Sequence, residues 1–73
     1  MVAVDPTTVE LSARQRAVLS LSATGLPPVD VGVALQIPVD EVREQLMDAK
    51  RRLGAGSKIE AVVTACRLGL IDL

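Results

Sequence analysis

The run PPVDVGVALQIPVDEVREQLMDAKRRLG, residues 27–54, decides how the chain folds. Pro27 and Pro28 cannot continue a helix, but they suit the first turn of a new one, where a missing N–H leaves nothing unpaired. Val31, Ala34 and Leu35 then recur at helical spacing and stop at Gln36-Ile37-Pro38, which predicts a short helix over about 28–35. Asp40 and Glu41 favour the positive end of a helix dipole, Lys50, Arg51 and Arg52 favour its negative end, and Gly54 supplies a left-handed stop. A longer helix over about 39–53 follows. Short helix, three-residue turn and longer helix are the outline of a helix-turn-helix.

Working outward, Ser12 and Gln15 have the capping-box spacing, Leu11 stands before them as an apolar staple, and Val18, Leu19 and Leu21 supply an apolar face. A helix over about 12–23 is predicted, with Gly25 as its stop and Leu26 as the apolar residue beyond. Ser57 and Glu60 repeat the capping-box spacing and open a fourth helix, which Gly69 should end. Residues 1–10 contain Pro6 and two Thr without apolar periodicity and read as a flexible arm; residues 11–73 read as one all-α, four-helix domain.

Composition narrows the function. The chain has 73 residues, 49% of them apolar, with no His, no aromatic residue, one Cys and a net charge of −1. Without His or Tyr the usual general acids and bases near pH 7 are missing, and no Ser or Cys has an evident activating partner, so no catalytic residue is assigned and no enzyme is expected. One Cys and no His leave only carboxylates for a metal, and no calcium-loop pattern occurs; no metal and no other cofactor is expected. A lone Cys fits a reducing cytoplasm. Met1-Val2-Ala3-Val4 has no basic side chain and is too short for a signal segment, and no apolar run approaches the roughly 18 residues that span a bilayer, so no membrane partner is expected. Chains below about 70 to 80 residues rarely gain more than about 3 to 5 kcal/mol from one core. Here that core must be aliphatic, and the surplus of apolar surface hints at a partner.

Longer strings carry a family resemblance. LSARQRAVLSL (11–21), GL (25–26), LQI (35–37), Val42, Leu46, RLGAGS (52–57), EAV (60–62) and the run from Ala65 through Arg67-Leu68-Gly69-Leu70-Ile71 together resemble the LuxR-type helix-turn-helix domain. The match runs over 11–71 without a gap, and its most specific parts are the opening L-S-x-R-Q and the closing R-L-G-x-x-S-x-x-E-A-V. The resemblance implies a four-helix DNA-binding domain of a transcription regulator, with the third helix in the major groove of double-stranded DNA and the fourth as the surface of a homodimer. Such domains usually follow a receiver or ligand-sensing domain; a chain opening at Met1 resembles the small stand-alone members, and an excised C-terminal domain is the other reading. Ile37-Pro38-Val39, Val42-Arg43 and Ala49 through Leu53 are also similar to region four of sigma factors, but that region would not need residues 57–73, so the LuxR-type reading is preferred.

On the third helix, Val42, Leu46, Ala49 and Leu53 fall within about 60° and form the expected buried stripe, while Asp40, Glu41, Glu44 and Asp48 span an arc of about 100° on the face opposite. The family commonly has Thr at 41 and Asn or Ser with His around 44 and 45; this chain has Glu41, Glu44 and Gln45. Four carboxylates near a polyanion oppose binding. Solvation, the helix dipole and pairing of Asp48 with Arg51 or Arg52 one turn on account for them in part, yet Asp40 with Glu44 and Glu44 with Asp48 are like charges at i, i+4, each destabilising by roughly 0.2 to 0.5 kcal/mol. DNA contact remains within reach of other residues. Arg43 matches the family's basic residue, Gln45 suits adenine, and Glu44 can accept from cytosine N4. Lys50, Arg51 and Arg52 suit either phosphates or the helix's own C-terminal dipole, with Arg14, Arg16 and Lys58 as further cations. The alternative function is a helix-turn-helix-derived interaction module whose acidic face binds a basic protein partner, such as part of the transcription machinery.

Two substitutions relative to the family carry a cost. Pro38 replaces a Ser cap worth about 1 kcal/mol. Gly32 replaces Ala at about 1 kcal/mol in helix propensity, unless the backbone is closely approached there. On the fourth helix, Glu60, Thr64 and Arg67 form a narrow polar strip. Ala61, Ala65 and Leu68 are expected to face the core. Ile59, Val63, Cys66 and Leu70 form a second apolar stripe, expected to be the dimer interface, the N-terminal arm being its other possible cover. Cys66 is read as a small buried hydrophobe.

Overall fold

The computed structural model describes residues 10–72, so the arm expected over 1–10 lies outside the described residues except for Glu10. Four helices follow one another: α1 (Ala13–Ala23), α2 (Pro28–Leu35), α3 (Val39–Leu53) and α4 (Lys58–Arg67). No strand occurs among the described residues.

Each helix begins and ends for a local reason. At α1 the capping box is complete: Ser12 Oγ accepts from the Gln15 backbone N–H at 3.1 Å, and Gln15 Oε1 accepts from the Ser12 N–H at 3.0 Å. Pro27 caps α2 and Pro28 fills its first position. Its C-cap is Gln36, left-handed at φ 59°; a side chain there costs roughly 1 to 2 kcal/mol. Pro38 caps α3 without a side-chain hydrogen bond, and Gly54 ends it at φ 65°. Ser57 Oγ accepts from the Glu60 N–H at 3.1 Å to open α4. The reciprocal bond expected from the spacing does not form, because Glu60 Oε2 instead accepts from the Gly56 N–H, one residue earlier, at 2.6 Å. Helix α4 closes through Leu68, and Gly69 follows with positive φ.

Helices α1 and α3 pack against each other and against both remaining helices, and α2 and α4 do not touch each other. Val18, Leu19, Val31 and Val42 are the largest fully buried side chains; Leu46, Ala49, Ala61 and Ala65 join them, with Leu11 and Ile71 closing the two ends. The stripe expected on α3 is buried, with Leu53 at its edge. On α4 the wheel needs correction at three positions. Leu68 is half-exposed and outside the core, while Cys66 and Leu70 are half-buried and pack against it. The chain turns at Leu68 and Gly69, past the last residue to which helical angles apply.

Gly32 has a steric reason. A Cβ there would lie 2.8 Å from the Ile37 carbonyl oxygen and 3.5 Å from Val42 Cγ2. The Ile37 N–H also donates to the Gly32 carbonyl at 2.9 Å. The turn thus folds directly onto the α2 backbone, and the bare Cα lets α2 and α3 approach.

Candidate nucleic-acid interface

The outer face of α3 is the surface a helix-turn-helix would present to DNA. The structure divides the acidic arc read from the wheel. Glu41 is half-buried and pairs with Arg14 of α1. Asp48, also half-buried, accepts from Arg52 Nε at 2.8 Å, takes a hydrogen bond from Gln15 Nε2, and has Arg51 at 4.0 Å. Gln15 is itself buried, so one side chain both caps α1 and holds α3. The Arg52 hydrogen bond, followed by that of Gln15, draws the Asp48 carboxyl below its ordinary range, against a smaller opposing effect of burial. The like-charge repulsion expected of Glu44 with Asp48 is therefore set against two guanidinium groups. Four carboxylates do not share one open face, as the wheel had placed them.

What remains exposed is mixed. Asp40, Arg43, Glu44, Met47, Arg51 and Arg52 are exposed, while Gln45 and Lys50 are half-buried. Among the described residues no ion pair involves Arg43 or Glu44. Arg52 also reaches the Glu10 carbonyl at 3.4 Å, so it is tied to the entry of the domain as well as to Asp48. The residue that sequence reasoning missed is Met47, 58% exposed in the middle of this face. A signal was present: Met47 lies three and four residues after Glu44 and Arg43, a spacing that puts side chains on one helical face.

The stripe expected as a dimer interface is also divided. Ile59 is 73% and Val63 42% exposed, one turn apart on α4. Cys66 and Leu70 lean against the core edge. Beside Ile59 and Val63 opens a cleft of about 230 Å³, lined also by Ser22, Ala23, Lys58 and Val62. Among the described residues no group of His, Cys, Asp or Glu is arranged to hold a metal ion, and no helix is long and apolar enough to cross a membrane.

No family model and no curated protein matches the chain. Among solved structures, that of the transcription factor GerE matches with a TM-score of 0.82 at 24% sequence identity, over 85% of this chain and 92% of GerE. The fold implied by the LuxR-type resemblance is thus the fold found, and this chain has the all-α, four-helix architecture of the transcription factor GerE.

Proposed function

We propose that this chain is a DNA-binding transcription regulator of LuxR type, acting in the cytoplasm as a homodimer, with α3 entering the major groove and α4 forming the dimer seam. The observation that carries this reading is the division of charge on α3. Glu41 and Asp48 are engaged by Arg14, Arg52 and Gln15, whereas Arg43 stands exposed with no ion pair among the described residues. Arg43 and Glu44 are assigned to base edges and Arg51 and Arg52 to phosphates. Gln45 and Lys50, half-buried on the two flanks of the helix, are assigned to the groove walls. Arg52 must share itself with Asp48, so its phosphate contact is the weaker of the two. Ile59 and Val63 form the centre of the dimer seam, with Cys66 and Leu70 at its margin.

The competing reading, an acidic module for a basic protein partner, loses two of its four carboxylates to intramolecular pairs. Binding to mixed genomic DNA fragments across a salt series separates the two. The DNA reading expects affinity that falls steeply with salt. It further expects Arg43→Ala to weaken binding by about 1 to 3 kcal/mol if Arg43 meets a base, or to lower the salt slope by about one if it meets a phosphate. Folded protein that binds no DNA even at about 50 mM salt overturns it and leaves the protein-partner reading standing.

A further inference from the structure

Resting on the DNA-binding reading, we infer that Met47 is a specificity determinant that packs against the 5-methyl group of a thymine in the major groove. Helix α3 meets its need for buried apolar side chains with Val42, Leu46 and Ala49, yet Met47 is left 58% exposed among Asp40, Arg43, Glu44 and Arg51. An apolar side chain in that position leaves more than half of its surface uncovered by the fold of the monomer. The outer edge of a base pair in the major groove carries donors, acceptors and one apolar group, the thymine methyl. A flexible, polarisable thioether set between charged neighbours has that methyl as its complement in the groove.

Helical geometry sets where the thymine lies. Met47 is three residues beyond Glu44 and four beyond Arg43 on the same face. At about 1.5 Å per residue these offsets are roughly 4.5 and 6 Å along the axis, against about 3.4 Å per base step. Arg43 on guanine O6 and N7, or Glu44 on cytosine N4, therefore places the thymine within about one or two base pairs of a G·C pair. Val29 and Val33 of α2 are exposed as well, but the charged side chain of that helix is Asp30 alone, with no cation beside it, and they are not assigned.

The test begins with duplexes enriched by the wild-type chain from a random-sequence library. Each thymine of an enriched duplex is then replaced, one at a time, by deoxyuridine, which removes only the methyl. One position within about two base pairs of a G·C pair should weaken wild-type binding by roughly fourfold, the value of one buried methyl-sized group. Met47→Ala should bind the parent duplex more weakly and no longer distinguish thymine from deoxyuridine there, while Met47→Leu should retain part of the distinction. Because Met47 is outside the core, circular dichroism of both variants should match wild type. Wild-type indifference to deoxyuridine at every position overturns the inference while leaving DNA binding intact, as does an undiminished penalty in Met47→Ala. Failure to enrich or bind any duplex removes the DNA reading and this inference with it.

Discussion

Replacing Gly32 by Ala should destabilise the domain, although propensity alone argues the reverse. Ala in place of Gly inside a helix is favourable by about 1 kcal/mol. Against this, the new Cβ would meet the Ile37 carbonyl oxygen at 2.8 Å, well inside the roughly 3.5 to 4.0 Å at which nonbonded heavy atoms attract best. The opposing atom is backbone, held in a turn whose Gln36 is already left-handed, so a side-chain rotation cannot relieve the contact. Overpacking of this kind costs about 1 to 3 kcal/mol. Opening the turn also stretches the 2.9 Å bond from the Ile37 N–H to the Gly32 carbonyl, a further loss of about 0.5 to 1.5 kcal/mol. The balance is a net loss of about 0.5 to 3.5 kcal/mol, and a domain this small loses roughly 4 to 8 °C in Tm for each kcal/mol. Gly32→Val, which adds bulk beside Val42 Cγ2 at 3.5 Å, should go further and consume most of a total stability of about 3 to 5 kcal/mol. Urea and thermal unfolding followed by circular dichroism measure both. A Gly32→Ala variant that melts at or above wild type refutes the reasoning and means that the turn yields freely.

Two further outcomes follow from the surfaces described. Val63→Glu should convert a dimer to a monomer in sedimentation without loss of helical signal, because Val63 is 42% exposed beside the 73% exposed Ile59; a wild-type chain that sediments as a monomer at high concentration removes α4 as a dimer seam. The Asp48 carboxyl lies below its ordinary value of 3.8 in the folded state, so its contribution is present above that value and disappears as pH falls through the lowered one. Asp48→Asn should therefore be less stable than wild type in urea at neutral pH, and the gap should close in acid below 3.8; a gap that persists unchanged there would show that shape, not charge, ties α3 to Gln15 and Arg52.

The boundaries of α2 and α3 were legible because strong local signals sit at both ends: Pro27 and Pro28 open one helix, and Gly54 ends the other. The Ser12 and Gln15 pair was legible for the same reason, since a capping box is decided within four residues. At α4 the same pattern misled in part. Glu60 had two backbone N–H groups in reach and took that of Gly56 instead of Ser57, a choice set by loop geometry that spacing does not encode. Gly69 ends α4 as expected, in the left-handed region just past the Leu68 cap, but the helical wheel does not extend through that turn, and Leu70 lies against the core while Leu68 does not.

The candidate site was less legible than the fold, and α3 shows why. A helical wheel places side chains around one axis and says nothing of which neighbour occupies each side. Asp40, Glu41, Glu44 and Asp48 share an arc of about 100° on that wheel, yet α1 lies along one edge of it and brings Arg14 and Gln15 to Glu41 and Asp48. Those two partners are 27 and 33 residues away in sequence, beyond any local pattern, whereas the pairing of Asp48 with Arg52, four residues on, follows from helical spacing as expected. Once those two carboxylates are engaged, the open face holds Asp40 and Glu44 against Arg43 and Arg51, with Met47 between them. Sequence reasoning saw four negative charges facing a polyanion; tertiary packing turns that face into one with balanced charge and an apolar centre. On the proposed reading, Lys50, Arg51 and Arg52 at the end of the helix still supply the phosphate contacts that make binding salt-dependent, while the balanced centre of the face leaves sequence preference to Arg43, Glu44 and Met47.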